Sequence, residues 1–247
     1  MTVLMDHGGL GPEYLRFIFE AATVCDVLDI MCAASFALGG DKFSYHPEVM
    51  FEGVASTGSE VYAVGYPKEW TDLYFEGGAK LVDPTPDAIM RLGRPTTWED
   101  ALKERKLTNA ERQYLLRIRR YGMGLGYGFP LWGPNCQNAF VAVGFPEGTA
   151  LPGRAAIESH QMLLLGGHQK ICFLTCSPSS GVPTLSDRER EVLTWIGRGK
   201  SNTDVACILG ISAETVATYV RRIYEKLHCH DRIGAVIKAL RMSLIRV

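Results

Sequence analysis

The chain has 247 residues, of which 47% are hydrophobic and 21% are charged, a composition typical of one or two globular domains with their own cores. Its seven cysteines include no Cys-x-x-Cys pair, which excludes the pattern of a disulfide framework or a zinc ribbon. A net charge of −1 excludes a uniformly basic nucleic-acid or membrane binder, since such proteins carry an excess of Lys and Arg.

The start of the chain lacks the pattern of a secretory signal, because it carries Asp6 and has no Lys or Arg before Arg16. No apolar run reaches the roughly 18 residues that a membrane-spanning helix needs. Together with the scattered cysteines, these features predict a cytoplasmic protein that has no membrane partner.

Hydrophobic periodicity and turn residues predict the elements that precede residue 177. The first elements in chain order are one or two helices over 14–37, strands over 42–50 and 60–65, and a helix from Pro67 to Gly77-Gly78. A second helix begins at the capping box of Thr108 and Glu111 and ends at about Tyr121. Strands over 127–132 and 138–145 and a long helix over 155–176 follow. Strands between helices, with short hairpin-type connections, favour an α+β fold. In this fold helices sandwich an antiparallel sheet (α/β/α), which differs from a doubly wound parallel fold.

One stretch has the composition of a linker: Ser177-Pro178-Ser179-Ser180-Gly181-Val182-Pro183. It predicts a domain of residues 1–176, a linker of residues 177–183 and a second domain of residues 184–247. The second domain holds 11 Lys and Arg against 7 Asp and Glu, a net charge of +4, whereas residues 1–183 hold 15 against 20, a net charge of −5. The near-neutral total therefore conceals an acidic domain joined to a basic one, which is typical of a regulator with a separate nucleic-acid reader.

The second domain has the sequence pattern of four helices, which predicts an all-α fold. Ser186 and Glu189 form a capping box, and Ser201 and Ser212 begin the second and third helices. Because the second helix ends at Gly210, the second and third helices form a helix-turn-helix unit.

The third helix of this domain has an apolar stripe of Val216, Val220 and Ile223, which we expect to face inward. The opposite face carries small residues near its start and arginines further along: Ala213, Ala217, Thr218, Arg221 and Arg222. Small residues let a helix enter the major groove, where arginine reaches guanine edges or phosphates. The alternative is that the arginines form a solvated helix face.

The second domain resembles the LuxR-type helix-turn-helix over its whole length. The matching residues are Leu185-Ser186-Asp187-Arg188-Glu189-Arg190-Glu191-Val192-Leu193-Thr194-Trp195, Gly199-Lys200-Ser201, Ile211-Ser212, Thr215-Val216 and Lys226-Leu227. The resemblance implies that the third helix reads operator DNA and that the helix from Asp231 onward supports a homodimer, with RNA polymerase as a further candidate partner. The predicted DNA contacts are Ser201, Ser212, Thr215, Ala217, Thr218, Arg221, Arg222 and Lys226. Tyr219 departs from the family, in which many members have His at this position.

A set of aromatic and acidic residues in the first domain predicts a ligand pocket. Trp70 and Tyr74 lie four residues apart and share a helix face, with Tyr66 at the entrance of that helix. Their N–H and O–H groups are donors and Asp83 is an acceptor, as an amide-linked lactone with an apolar tail requires. The alternatives are an aromatic core for the rings and a helix cap for Asp83 ahead of Pro84.

The first domain also resembles the autoinducer-binding domain of acyl-homoserine-lactone receptors, through Tyr66-Pro67, Trp70, Tyr74, Asp83-Pro84, Pro95, Trp98 and Pro130. The resemblance implies that Trp70 donates to the lactone carbonyl and that Asp83 accepts from the amide N–H. It also implies that Tyr66 donates to the acyl carbonyl and that Trp98 packs against the lactone ring. Further pocket walls are predicted at Tyr62, Tyr74, Tyr114, Ile118, Met123 and Trp132.

Two stretches of the first domain bear on the ligand. Residues 139–144 contain no Ser or Thr, whereas many members of the family offer a hydroxyl to the ligand here. This departure leaves open a short, branched or aromatic acyl group, or a receptor without a partner synthase. The glycines at 122, 124, 126 and 128 follow a helix and precede a strand, the reverse of a dinucleotide-binding motif, and are interpreted as a flexible connection.

The sequence contains no constellation of nucleophile, base and orienting acid and no metal-ligand spacing, so we expect neither an enzyme nor a bound metal or cofactor. His160 and His168 are interpreted as ordinary surface or core residues.

The leading hypothesis is a quorum-sensing transcription factor that binds an N-acyl-homoserine lactone and binds operator DNA as a homodimer. The helix over 155–176 offers apolar side chains for a dimer contact: Ile157, Met162, Leu164, Leu165 and Ile171. The alternative is a ligand-independent LuxR-type regulator whose first domain is a dimerisation or protein-interaction scaffold.

Overall fold

The computed structural model of the protein describes residues 12–47, 61–75, 78, 81–103, 105–134, 137–175 and 183–247. The chain divides into two compact units, Met1–Cys176 and Ser177–Val247. Several predictions lie outside the described residues: the strand end at 48–50, Glu60, Gly77, and most of the linker at 177–182.

The described part of the first unit contains helices and strands in a mixed order. The helices are α1 (Pro12–Glu20), α2 (Val24–Ala37), α3 (Lys68–Phe75), α4 (Thr85–Leu92), α5 (Trp98–Leu102), α6 (Asn109–Arg119) and α7 (Arg154–Thr175). The strands are β1 (Lys42–Pro47), β2 (Tyr62–Val64), β3 (Thr96–Thr97), β4 (Gly126–Leu131) and β5 (Ala139–Gly144). The predicted elements are confirmed with shifts of a few residues at their ends. The elements β3 and α5 were not predicted, and α4 was foreseen only in the alternative that Asp83 caps a helix.

The five strands form one antiparallel sheet in the order β2-β1-β5-β4-β3. Successive side chains of a strand point to opposite faces of a sheet. On one face, Phe43, Tyr45 and Val141 join a hydrophobic core with α1, α2 and α7. On the other face, which α4 and α5 cover, lie smaller and more polar side chains such as Ser44 and Ala142. The predicted fold, an antiparallel sheet between helices, is confirmed.

Helix α7 is continuous over 22 residues in spite of Gly166-Gly167. A methyl group at Gly167 would lie 2.5 Å from the sulfur of Met31, so the glycine lets α7 pack closely against α2. Three of the residues predicted for a dimer contact are instead buried in the core of this unit: Ile157, Leu164 and Ile171. Met162, in contrast, is 65% exposed.

Two buried histidines of α7 take part in hydrogen bonds within the core. The Nε2 atom of His168 lies 2.8 Å from the carbonyl oxygen of Gln137, and its Nδ1 atom lies 2.8 Å from the hydroxyl of Tyr45. Because a carbonyl can only accept, Nε2 carries the proton and Nδ1 accepts from Tyr45. His160 Nε2 lies 2.9 Å from the Ser35 hydroxyl. Burial lowers the pKa of His160 to about 3 and that of His168 to about 4.

The second unit contains the four predicted helices: α8 (Asp187–Gly197), α9 (Asn202–Leu209), α10 (Ala213–Leu227) and α11 (Arg232–Arg241). Ser186, Ser201 and Ser212 each accept a hydrogen bond from a backbone N–H in the first turn of the helix that follows, as their positions predict. Gly210 ends α9 with a left-handed φ of 65°, which a residue without a side chain adopts readily. The helix-turn-helix prediction is therefore confirmed.

Within the described residues no single helix is both long and apolar enough to cross a bilayer. Helices α9 and α10 reach the required length and composition only when taken together, and they are bent by 111° at the turn between them.

Candidate ligand site and nucleic-acid interface

A cavity of about 270 Å³ lies in the first unit between the polar face of the sheet and the helices α3 to α6. Eight of the ten residues predicted to contact a ligand line it: Tyr66, Trp70, Tyr74, Asp83, Trp98, Tyr114, Ile118 and Met123. The fold therefore gathers into one site side chains that are separated by up to 57 positions in the sequence, from Tyr66 to Met123.

One wall of the cavity is a stack of three aromatic rings. The ring of Tyr66 lies 4.3 Å from that of Trp70, and Trp70 lies 4.7 Å from Tyr74, both in stacked orientations. The spacing of four residues places Trp70 and Tyr74 on one face of α3, as predicted. The stack presents flat apolar surface with polar atoms at its edges, which suits a ligand that is partly planar.

Asp83 is one of two acidic residues that line the cavity, with Glu99. Its Oδ1 accepts a hydrogen bond of 2.9 Å from the backbone N–H of Thr85, the first residue of α4, although Pro84 and not Asp83 occupies the N-cap position of this helix. Its Oδ2 accepts from the hydroxyls of Tyr114 at 3.2 Å and Tyr74 at 3.4 Å. Burial raises the pKa of Asp83 above its ordinary value, although these hydrogen bonds oppose the rise. A ligand N–H that reached this carboxylate would stabilise its charged form.

The sheet supplies polar cavity residues that the sequence interpretation missed. Ser44 and His46 of β1 line the cavity, as do Phe140 and Ala142 of β5. The strand β5 contributes no hydroxyl, as its sequence predicts, and the hydroxyls of Ser44 and Thr85 line the cavity instead. The alternation of β1, in which Ser44 and His46 interleave with Phe43 and Tyr45, is the signal that could have identified them.

Of the four glycines that were interpreted as a flexible connection, Gly122 and Gly124 lie in the connection between α6 and β4. Gly126 and Gly128 lie within β4 and allow close packing, so for these two the interpretation was wrong. A methyl group at Gly126 would lie 2.4 Å from the indole ring of Trp98, and one at Gly128 would lie 2.3 Å from Ile89. Both glycines lie within the six-residue strand β4. They let Trp98 and Ile89 lie directly on the sheet, and this contact sets one wall of the cavity.

Two predicted wall residues do not line the cavity. Tyr62 pairs with Tyr45 across β1 and β2, so its ring lies on the core face of the sheet, where its hydroxyl donates to Asp29 at 2.6 Å. Trp132 follows the end of β4 and is 47% exposed. The strand register explains the first error, and the position beyond the strand explains the second.

In the second unit, α10 has a buried and an exposed face. Val216 and Ile223 are fully buried, and Val220 is half-buried against the same core. The side chains of Ala217, Arg221 and Arg222 are exposed, and Thr218 is half-buried with its hydroxyl donating to the carbonyl of Glu214. Ser201, Ser212 and Thr215 are also exposed, at the starts of α9 and α10. The exposed face of α10 thus carries Ala217 and then two arginines, as the sequence predicts, whereas Ala213 is half-buried against the core.

Lys226 is held within the second unit, which changes the interpretation of this residue. Its Nζ lies 2.6 Å from Oε2 of Glu189, whose side chain is only 4% exposed, and donates to the carbonyl of Thr184 at 3.1 Å. Desolvation opposes ionisation of Glu189, but the Lys226 ammonium and the N–H of Ser186 hold its pKa below the ordinary value. The ion pair joins the start of α8 to the end of α10, so Lys226 has a structural role that the DNA-contact prediction did not include.

The Lys226→Ala variant is expected to destabilise the second unit by about 2 kcal/mol. Removing one partner of a buried ion pair costs about 3–5 kcal/mol, and we reduce this figure because Lys226 is itself 41% exposed. Hydrogen exchange of the α8 and α10 amides measures the loss. Arg222→Ala, at an exposed position on the same helix, is the control and should leave exchange unchanged. Unchanged protection in Lys226→Ala, with weaker DNA binding, would support a direct DNA contact instead.

A cavity beside an antiparallel sheet, on the same chain as a helix-turn-helix unit with exposed arginines, defines a ligand-responsive DNA-binding regulator. Comparison with known families agrees: residues 23–170 match the autoinducer binding domain, and residues 183–239 match the bacterial regulatory proteins of the luxR family. The chain belongs to this family and is a DNA-binding transcription regulator of quorum sensing, not an enzyme. Its effector is a small molecule of the autoinducer type.

Relatives agree with this assignment. The chain is 29% identical over 185 residues to the HTH-type quorum sensing-dependent transcriptional regulator RpaR of Rhodopseudomonas palustris, covering 75% of each protein. It is 25% identical over 244 residues to the transcriptional activator protein EsaR of Pantoea stewartii subsp. stewartii, covering 93% of this chain and 96% of EsaR. Among solved structures, Escherichia coli SdiA shares the fold with a TM-score of 0.70 at 20% identity, covering 95% of this chain and 97% of SdiA.

Proposed function

We propose that the autoinducer of this protein is an N-acyl-homoserine lactone with a compact acyl group, bound in the cavity, and that the protein regulates transcription from operator DNA as a cytoplasmic homodimer. The observation that carries the ligand assignment is the half-buried carboxylate of Asp83 in the cavity wall, whose hydrogen bonds come from two tyrosine hydroxyls and one backbone N–H and not from a cation. A neutral amide N–H is a donor that such a carboxylate accommodates in a cavity whose wall is mainly aromatic and apolar. Glu99, Lys103 and Arg119 also line the cavity, but none of the hydrogen bonds to Asp83 comes from them.

The other groups of the cavity fit the remaining parts of this ligand. Trp70 and Tyr66 offer donors for the lactone and acyl carbonyls, and the ring of Trp98 offers flat apolar surface for the lactone. A protein cavity of about 150 Å³ holds a benzene molecule, so about 270 Å³ accommodates a lactone ring together with a short, branched or aromatic acyl group. A long fatty acyl chain exceeds this volume and would have to extend through the open side of the cavity.

Thermal unfolding with a panel of lactones tests the ligand assignment. The panel contains N-butanoyl-, N-isovaleryl-, N-phenylacetyl- and N-dodecanoyl-homoserine lactone, with ring-opened N-butanoyl-homoserine as the control for the lactone. We expect the compact lactones to raise Tm and the dodecanoyl and ring-opened compounds to raise it least, because a ligand that binds only the folded state stabilises it. No shift with any member, while DNA binding persists, would favour the ligand-independent scaffold.

A homodimer is supported by an exposed apolar stripe on α11. Ile233 is 70% exposed, Ile237 42% and Leu240 39%, at a spacing that places them on one helix face. Pairing two copies through this stripe gives two DNA-reading helices for a two-part operator. Ile233→Asp is expected to lower the fraction of protein that sediments as a dimer, whereas Lys238→Ala on the same helix should leave that fraction unchanged.

RNA polymerase is proposed as a partner of the DNA-bound dimer at promoters.

Arg221→Ala is expected to weaken DNA binding by about 10- to 100-fold, since an arginine that contacts a base edge contributes about 1–3 kcal/mol. Binding is measured across a salt titration on DNA that the wild-type protein selects from a random pool. Arg188→Ala is the matched control, because Arg188 is exposed on α8 and pairs with Glu191 at 2.8 Å. Unchanged affinity and salt dependence in Arg221→Ala would argue against α10 as the reading helix.

A further inference from the structure

A chain of three hydrogen-bonding side chains lines the cavity on its sheet side. The Oγ atom of Ser44 lies 3.0 Å from the hydroxyl oxygen of Tyr66 and 2.8 Å from Nε2 of His46. The imidazole of His46 is buried and is held by two rings, with centroids 5.7 Å away in Tyr74 and 5.6 Å away in Phe140. The three groups therefore have fixed positions, and only their protons can be rearranged.

Two arrangements of the protons keep both hydrogen bonds and use the Ser44 hydroxyl proton within this chain. In the first, Tyr66 donates to Ser44 and Ser44 donates to Nε2 of His46, so Tyr66 offers only lone pairs to the cavity. In the second, Nε2–H of His46 donates to Ser44 and Ser44 donates to Tyr66, so the single hydroxyl proton of Tyr66 points into the cavity. Between these two arrangements, the protonation of Nε2 of His46 decides whether the cavity presents an acceptor or a donor at Tyr66.

We propose that His46 is a positioning residue which, through Ser44, directs the Tyr66 hydroxyl proton to a carbonyl acceptor of the ligand. This proposal rests on the proposed function, because that function supplies an acyl carbonyl at Tyr66. In the first arrangement the lone pairs of the Tyr66 hydroxyl oxygen repel a ligand carbonyl. In the second arrangement the carbonyl accepts a hydrogen bond from the Tyr66 hydroxyl. Ligand binding and the second arrangement therefore favour each other, and the site selects a ligand whose acyl group carries a hydrogen-bond acceptor beside Tyr66.

A double-mutant cycle in the full-length protein tests this proposal, with calorimetric titration of N-butanoyl-homoserine lactone. Tyr66→Phe removes the donor, and His46→Phe keeps an aromatic ring but removes the N–H. We expect His46→Phe to weaken binding about fivefold in the wild-type background, as loss of one hydrogen bond does, and to have no effect in the Tyr66→Phe background. His46→Gln retains an N–H donor and should restore affinity to within about twofold of wild type.

The controls separate positioning from packing and from failure of the proposed function. Tyr45→Phe alters the opposite face of the same strand and should leave affinity unchanged. If His46→Phe does not fold, Ser44→Ala interrupts the same chain and should show the same dependence on Tyr66. Equal losses in both Tyr66 backgrounds would overturn the positioning role and leave the lactone assignment intact. No binding to the wild-type protein would overturn both.

Discussion

The Asp83→Asn variant is expected to unfold at a higher temperature than the wild-type protein without ligand and to lose most of the stabilisation that the lactone provides. Burial raises the pKa of Asp83, so the cavity penalises its charged form at neutral pH. Asparagine keeps an oxygen that can accept from the N–H of Thr85, and it removes the charge. The ligand amide then loses a charge-assisted hydrogen bond, which weakens binding by about 10- to 100-fold.

Thermal unfolding with and without N-butanoyl-homoserine lactone measures both effects on the same sample. Asp87→Asn is the matched control, because Asp87 is exposed and pairs with Arg105 at 2.8 Å and Arg91 at 3.1 Å. The control should lose a little stability without ligand and keep the full response to ligand. If the Asp83→Asn variant kept the full response to ligand, the carboxylate of Asp83 would have no role in ligand binding.

The parts of the site that could be predicted from sequence depend on local geometry. Trp70 and Tyr74 face the same cavity because a helix brings every fourth residue to one side. The capping serines of the second unit were equally predictable, since a cap bonds backbone groups only two or three residues away. In these cases the spacing along the chain already contains the spatial relationship.

The errors and omissions concern contacts between distant parts of the chain. Tyr62 was assigned to the wrong face because its direction depends on pairing with Tyr45, which lies beyond a long connection. Lys226 was assigned only to DNA because its partner, Glu189, lies 37 residues earlier on another helix. Gly126 was assigned to a flexible connection because the ring that it accommodates belongs to Trp98, on a helix that was not predicted. No local pattern encodes these three relationships.

Acid is expected to destabilise the first unit below about pH 6.5, because two buried histidines of α7 remain neutral in the folded state. The pKa of His160 falls from 6.5 to about 3 and that of His168 to about 4 on folding, so between pH 6.5 and 4 the unfolded chain binds more protons than the folded one. The free energy of unfolding therefore decreases as pH falls, by about 1.4 kcal/mol per pH unit for each histidine. Urea unfolding at several pH values between 7 and 5, followed by circular dichroism, measures this slope.

Variants of the two histidines isolate their contribution from that of other groups. His160→Gln and His168→Gln should each reduce the slope by about 1.4 kcal/mol per pH unit, whatever their effect on stability at pH 7. Asp83 acts in the opposite direction, because its raised pKa makes the folded state take up a proton earlier than the unfolded one. Asp87 and Glu111, whose pKa values are lowered by their partners, contribute mainly below pH 4.5. A slope that neither variant changes would mean that the histidines are protonated within the folded core, which their closed hydrogen-bonding environment opposes.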